Sequence, residues 1–138
     1  MKRKEPNYKY NYAMLLDDNE LDNFINQKTI EATNFANKIY VNTSSKSALE
    51  FLNNLEISNN DNFDIFPEII FIDINMPMID GFQLIESFIK NFPKRSKTVK
   101  MIILTSSVSQ SDREKSAKIS KSILFINKPL NKDSLSQI

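Results

Sequence analysis

The chain has 138 residues and a formal net charge of +1, with 18 Lys and Arg residues against 17 Asp and Glu residues. This length fits one domain, and the near-neutral charge gives no field that would attract nucleic acid. The chain contains no His and no Cys. It therefore cannot form Ser-His-Asp or Cys-His catalytic sites, zinc sites with His or Cys ligands, or disulfides. The remaining chemistry is that of acids, amides, hydroxyls and lysines.

No apolar run approaches the roughly 18 to 20 residues that a membrane span needs. The basic N-terminus is not followed by the apolar segment of a secretory signal. We therefore expect a cytoplasmic protein without nucleic-acid or membrane partners. Residues 1–7 are predicted to be a flexible tail, and residues 8–138 a single domain.

Short apolar runs alternate with segments of helical periodicity, a pattern typical of parallel strands joined by crossover helices. The run at 68–73 is apolar on both faces, so we place it at the centre of the sheet. The prediction is an α/β fold: a doubly wound, five-stranded parallel sheet with flavodoxin-like strand order 2-1-3-4-5 and helices on both faces. The predicted strands are 12–16, 39–41, 68–73, 99–104 and 123–126.

Five helices are predicted from apolar residues spaced three and four apart. The second begins at Ser44, the third follows Gly81 and stops at Pro93, and the fourth, 109–119, is weakly apolar. The last, from Asn131, is short or truncated. The first helix is expected to bury a mostly apolar stripe made of Leu21, Phe24, Ile25, Lys28, Thr29 and Ala32.

The side chains that could bind a ligand or take part in a reaction lie at the carboxyl ends of predicted strands. Doubly wound folds bind their ligands at this edge of the sheet. Several carboxylates at one edge repel one another unless a cation neutralises them. Oxygen ligands select hard ions, so Mg²⁺ is the expected cofactor and Mn²⁺ the alternative. Taken singly, each residue also has an ordinary role in a cap, turn or loop. The residues at these carboxyl ends are Asp17, Asp18, Asp73, Thr105, Ser106 and Lys128.

A phosphoryl group fits this set of residues. Lys128 can pair with an oxyanion and Thr105 can donate a hydrogen bond to it. A carboxylate can attack a phosphoryl donor directly, because it carries no proton that must first be removed. Asp73 is the predicted nucleophile, since it ends the most buried strand and its direction is therefore well defined.

Four motifs in order make the chain resemble the receiver domain of two-component response regulators, from about Tyr8 to the C-terminus. The resemblance implies a signalling module rather than an enzyme, with a histidine kinase or histidine phosphotransfer protein as phosphodonor. The motifs are Leu15-Leu-Asp-Asp18, Phe71-Ile-Asp-Ile-Asn-Met-Pro-Met-Ile-Asp-Gly81, Ile103-Leu-Thr-Ser-Ser107 and Phe125-Ile-Asn-Lys-Pro129.

The resemblance also implies a role for each matching residue. Asp73 would be the phosphoacceptor, with Asp18, Asp73 and the backbone carbonyl of Asn75 ligating the metal and Asp17 assisting through water. Lys128 and Thr105 would hold the phosphoryl oxygens. Thr105 and Phe125 would form the switch that changes a protein-binding face made by the fourth helix, fifth strand and last helix. Asn75 and Ser107 would tune the lifetime of the phosphate.

Two other functions compete with this interpretation. A small Mg²⁺-dependent phosphohydrolase would also use an Asp nucleophile, but such enzymes resemble haloacid dehalogenases and place a second Asp two residues later, where this chain has Asn75. A pseudo-receiver would use the same fold only for constitutive binding. The intact set of motifs favours a functional receiver.

Overall fold

The computed structural model describes residues 7–59, 64–106, 109–120 and 122–138. The predicted flexible tail therefore lies outside the described residues except for Asn7. A 3₁₀ turn, Arg95–Lys97, precedes the fourth strand. The strands and α-helices are β1 Tyr10–Leu16, α1 Glu20–Ala32, β2 Ala36–Asn42, α2 Ser45–Ser58, β3 Ile69–Asp73, α3 Gly81–Asn91, β4 Lys100–Thr105, α4 Gln110–Ile119, β5 Leu124–Asn127 and α5 Lys132–Ser136.

The strands form one parallel sheet in the order β2-β1-β3-β4-β5. This confirms the predicted doubly wound fold. All five residues of β3 are buried, because helices cover both faces of the sheet at its centre. The strand directions bring the carboxyl ends of β1, β3, β4 and β5 to the same edge.

The core has two layers, one on each face of the sheet. In β1, Ala13 and Leu15 contribute to one layer and Met14 and Leu16 to the other, as expected for side chains that alternate along a strand. One layer includes residues of α1 and α5. The other includes residues of α2 and α3, so the prediction of helices on both faces is confirmed.

Side-chain caps define where the helices begin. Ser44 accepts a hydrogen bond from the backbone N–H of Ser47, and Asp80 forms a reciprocal capping box with Gln83. Such caps satisfy backbone N–H groups that have no partner within the helix. The last helix, α5, has five residues.

The predicted apolar stripe of α1 is wrong. Leu21, Phe24 and Ile25 are exposed by 65%, 55% and 40%. The helix instead buries Asn23, Asn26 and Ile30.

Polar contacts explain why α1 turns two asparagines inward. The Nδ2 of Asn23 donates to the carbonyl of Asp17 at 2.8 Å, and the Oδ1 of Asn26 accepts from the backbone N–H of Leu130 at 2.9 Å. Buried backbone groups at these loops need hydrogen-bond partners. Satisfying them determines the rotation of α1 and leaves its apolar residues facing outward.

An ion-pair network stabilises the opposite edge of the sheet. The guanidinium of Arg95 contacts Glu56 through Nε at 2.8 Å and Nη2 at 2.9 Å, and Asp64 through Nη1 at 2.6 Å. It also lies 4.4 Å from the ring centroid of Phe66. Hydrogen bonds from Arg95 lower the pKa values of both Glu56 and Asp64 below their ordinary values.

We expect Arg95→Ala to lower the free energy of unfolding at pH 7 by about 1 to 2 kcal/mol, since both pairs are partly exposed to solvent. Carboxylates with lowered pKa values contribute stability above pH of about 4, and this is lost as pH falls through their folded-state pKa values. The difference in the free energy of unfolding between Arg95→Ala and wild type should therefore be smaller at pH 3 than at pH 7. Urea denaturation at both pH values measures it, with the exposed Lys94→Ala as control. An equal difference at both pH values would contradict the ionic explanation.

No helix of the described residues is both long and apolar enough to cross a lipid bilayer.

Candidate functional site

Three carboxylates meet at the carboxyl edge of the sheet. Asp17 follows β1 directly and Asp73 ends β3, and both are buried, while the neighbouring Asp18 is exposed. One oxygen from each lies within 4.8 Å of the others. The sequence prediction that distant acids converge is therefore confirmed.

Lys128 is the cation at the centre of this site. Its Nζ lies 2.5 Å from Oδ2 of Asp17, 3.1 Å from Oδ2 of Asp22 and 3.3 Å from Oδ1 of Asp73. An ammonium has three N–H donors. Among these contacts, the one with Asp22 is a hydrogen bond, and those with Asp17 and Asp73 are ion pairs.

Thr105 lies beside Lys128 because β4 and β5 are adjacent. The side chain of Thr105 is buried, and its backbone carbonyl accepts from the backbone N–H of Lys128 at 2.9 Å. The peptide bond between Lys128 and Pro129 is cis. The lysine backbone is thus held at the end of the fourth strand.

The turn after β3 positions Asp73 from the other side. The backbone N–H of the exposed Asn75 donates to Oδ1 of Asp73 at 3.4 Å. A Cβ on Gly81 would lie 2.7 Å from the carbonyl oxygen of Asp73. Gly81 itself does not have a positive φ, and the positive φ in this turn belongs to Met78. Glycine is required here because the two backbone segments approach so closely.

Phe125 is half-buried in β5 and packs against the core layer that contains α2 and α3. The guanidinium of Arg113, from α4, lies 5.6 Å from its ring centroid. This distance is within the range of a cation–π contact. The predicted lifetime position Ser107 lies outside the described residues.

Burial and charge shift two pKa values in the site. Burial, reinforced by the charge of Asp17, raises the pKa of Asp73 to about 6, although Lys128 and the N–H of Asn75 act in the opposite direction. Burial disfavours the charged form of Lys128. Hydrogen bonds to Asp17 and Asp22 outweigh it and raise the pKa of Lys128 above its ordinary value. The lysine is therefore a permanent cation, whereas Asp73 is an aspartate of unusually high proton affinity.

The donor atoms suit a hard divalent cation. All three acidic side chains offer oxygen, which Mg²⁺ prefers. Burial is the main cause of the raised pKa of Asp73, and the charge of Asp17 raises it further although Lys128 lowers it. A cation bound between the carboxylates would remove that repulsion.

Sequence reasoning missed one residue of this site, Asp22. An acidic residue in the first turn of a helix is already accounted for by the helix dipole, so Asp22 does not stand out. The available signal was its position in the first turn of α1, directly after the acids that follow β1, which places it near the carboxyl edge of the sheet.

Comparisons with known proteins agree on one family. The family model described as response regulator receiver domain matches residues 13–138. A two-component response regulator from Cytophaga hutchinsonii is 31% identical in sequence, and the match covers 92% of this chain and 92% of that one, with a TM-score of 0.81. No curated protein sequence matched this chain.

Two more distant structures share the fold. The chemotaxis protein CheY4 of Vibrio cholerae is 16% identical over 93% of this chain and 94% of that one, with a TM-score of 0.71. A CheY-like receiver domain protein from Methanospirillum hungatei is 19% identical over 93% and 89%, with a TM-score of 0.70. At these identities the likeness is one of architecture.

Proposed function

Since this chain belongs to the response regulator receiver domain family, a family of two-component signalling modules rather than of enzymes, we propose that it accepts a phosphoryl group on Asp73. The proposed donor, which follows from the family, is a phosphohistidine of a histidine kinase or a histidine phosphotransfer protein. A donor on another protein agrees with the absence of histidine from this chain. The reaction takes place in the cytoplasm. The observation that carries this proposal is the position of Asp73, buried at a strand end between Lys128 and two further carboxylates.

The transfer needs no general base. A carboxylate oxygen of Asp73 attacks the phosphorus, and the P–N bond of the phosphohistidine breaks with its electron pair returning to the imidazole. The product is a mixed anhydride on Asp73. Lys128 lies 3.3 Å from the Oδ1 of Asp73, close enough to donate to a phosphoryl oxygen at the same position, and Thr105 would supply a hydroxyl donor.

Asp18, Asp73 and the backbone carbonyl of Asn75 would hold Mg²⁺, with Mn²⁺ as a substitute, and Asp17 would assist through water. The ion supplies positive charge to the phosphoryl oxygens during transfer. Asn75 and Ser107 flank the phosphoacceptor and are proposed to tune the lifetime of the phosphate.

Thr105 and Phe125 form the proposed switch. When Thr105 moves toward a phosphoryl oxygen, Phe125 turns into the space that it leaves. Phe125 has no hydroxyl, so burial of its ring drives this change. In the starting state Arg113 lies over the ring, which links the switch directly to α4. The face made by α4, β5 and α5 would thereby change its affinity for a downstream protein.

The exposed apolar residues of α1, Leu21, Phe24 and Ile25, form what we call the α1 patch. Ile25 lines a cavity of about 270 Å³ together with Asp22, Pro129 and Lys128. The α1 patch therefore adjoins this cavity, which we call the mouth of the site because Lys128 lines it. Because a protein donor must bring its phosphohistidine to that mouth, we assign the α1 patch to the phosphodonor protein.

The substitution Phe24→Ser should lower the rate of phosphoryl transfer from a phosphorylated histidine kinase or phosphotransfer protein by about tenfold. Loss of an aromatic side chain that anchors an interface commonly has an effect of this order. Phosphorylation by acetyl phosphate, which needs no docking, should not change. Phosphotransfer from a panel of such donors measures this, with Ile57→Ser, an equally polar change at a residue exposed by 75%, as control. Wild-type transfer from every donor would contradict the assignment.

The proposed function is tested by incubating the protein with acetyl phosphate and Mg²⁺ and measuring its intact mass. We expect the mass of one phosphoryl group to be added. A protein that gains no mass but binds a partner equally well with or without donor would be a pseudo-receiver. Continuous hydrolysis of small phosphate esters would instead indicate a phosphohydrolase.

A further inference from the structure

The further feature is the contact between Asp22 and Lys128. Asp22 lies on the first turn of α1 and belongs to none of the four motifs, yet its Oδ2 is 3.1 Å from the Nζ of Lys128. Its side chain is 37% exposed, against 3% for Asp17 and 8% for Asp73. Besides the two buried carboxylates, Lys128 therefore contacts a third, more exposed carboxylate that has no part in the proposed transfer.

The backbone around Lys128 is held on both sides, so the side chain alone is free to adjust. The N–H of Lys128 donates to the carbonyl of Thr105 at 2.9 Å. The N–H of Leu130 donates to the buried Oδ1 of Asn26, one turn beyond Asp22 on the same helix, at 2.9 Å. Asp22 and Asn26 thus connect α1 to the loop that carries the lysine. The position of the ammonium depends on which carboxylates compete for it.

We propose that Asp22 is a positioning residue that restrains Lys128 and slows phosphorylation of Asp73. A phosphoryl oxygen needs one of the three N–H donors of Lys128. Asp73 becomes the anhydride during the transfer, whereas Asp22 is not modified and continues to compete for the ammonium. It also partly neutralises the positive charge that an anionic donor meets at the mouth. This inference rests on the proposed function.

We expect Asp22→Asn to raise the second-order rate constant for acetyl phosphate by about twofold to fivefold, the range of one partly exposed ion pair. Asp22→Glu should stay near the wild-type rate, because it restores the charge. Glu20→Gln is the matched control: it removes an equal charge from the same helical turn, and the contacts of Lys128 in the described residues do not include Glu20. The rates are measured by intact mass at saturating Mg²⁺.

Higher salt should reduce the difference in rate constant between Asp22→Asn and wild type, since salt screens a partly exposed ion pair. A rate for Asp22→Asn equal to or below wild type would overturn the proposal. So would an equal acceleration by Glu20→Gln, which would show a general charge effect, or an acceleration by Asp22→Glu as large as that of the asparagine. Absence of phosphorylation in the wild-type protein would instead contradict the proposed function itself.

Discussion

Asp73→Asn should abolish the addition of a phosphoryl group by acetyl phosphate and Mg²⁺, because an amide oxygen cannot form the anhydride. Intact mass measures the loss. The matched control is Asp133→Asn, which changes an exposed aspartate of α5 and should be phosphorylated at the wild-type level. Wild-type phosphorylation of Asp73→Asn would refute the assignment of the phosphoacceptor.

The same variant should be more stable than wild type at neutral pH, which separates lost chemistry from lost folding. Burial and the charge of Asp17 raise the pKa of Asp73 to about 6 from 3.8. A carboxyl group whose pKa is higher in the folded protein favours folding at low pH, and this contribution is lost as pH rises through about 6. Without Mg²⁺, Asp73→Asn should therefore raise the free energy of unfolding by about 1 to 3 kcal/mol at pH 7.5 and by much less at pH 4.5. Urea denaturation at the two pH values measures both.

Lys128→Met should have the opposite effect on stability. The variant keeps most of the side-chain volume but leaves Asp17 and Asp73 buried without their cation. Removing one partner of a buried ion pair costs about 3 to 5 kcal/mol, so we expect a loss of this size at pH 7.5 without Mg²⁺. Phosphorylation by acetyl phosphate should also fall strongly, because the phosphoryl oxygens lose their ammonium donor.

Two conditions should restore much of the stability of Lys128→Met. Lowering the pH to 5 protonates Asp73, because burial and the charge of Asp17 raise its pKa to about 6. Millimolar Mg²⁺ replaces the missing positive charge. Lys132→Met, at an exposed lysine of α5, is the control and should match wild type throughout. If Lys128→Met were as stable as wild type at pH 7.5, the carboxylates would not depend on the ammonium.

Much of the site could be predicted from the sequence because its residues lie at or directly after the carboxyl ends of strands. An apolar run such as 69–73 identifies a buried strand, and parallel strands of a doubly wound sheet share one carboxyl edge. Asp17, Asp73 and Lys128 each come immediately after or at the end of such a run. Their convergence therefore required only the correct assignment of strands.

Asp22 and the inward face of α1 could not be predicted in this way. Hydrophobic periodicity selected Leu21, Phe24 and Ile25 as the buried side, yet these residues are exposed. The competing interaction was the pairing of Asn23 and Asn26 with backbone groups of loops far away in the chain. Periodicity measures only where apolar residues lie along a helix and contains no information on such partners.

Gly81 shows the same division at a single residue. Its place at the start of α3 is evident from the sequence, but the reason for glycine is the 2.7 Å between the position of a Cβ and the carbonyl oxygen of Asp73. The amino-acid pattern is sufficient to place the strands, their common edge and the acids and lysine at it, since these follow from local periodicity and sheet geometry. The rotation of α1 and the contacts of Lys128 with three carboxylates depend instead on hydrogen bonds and charges between distant segments, which no local pattern contains.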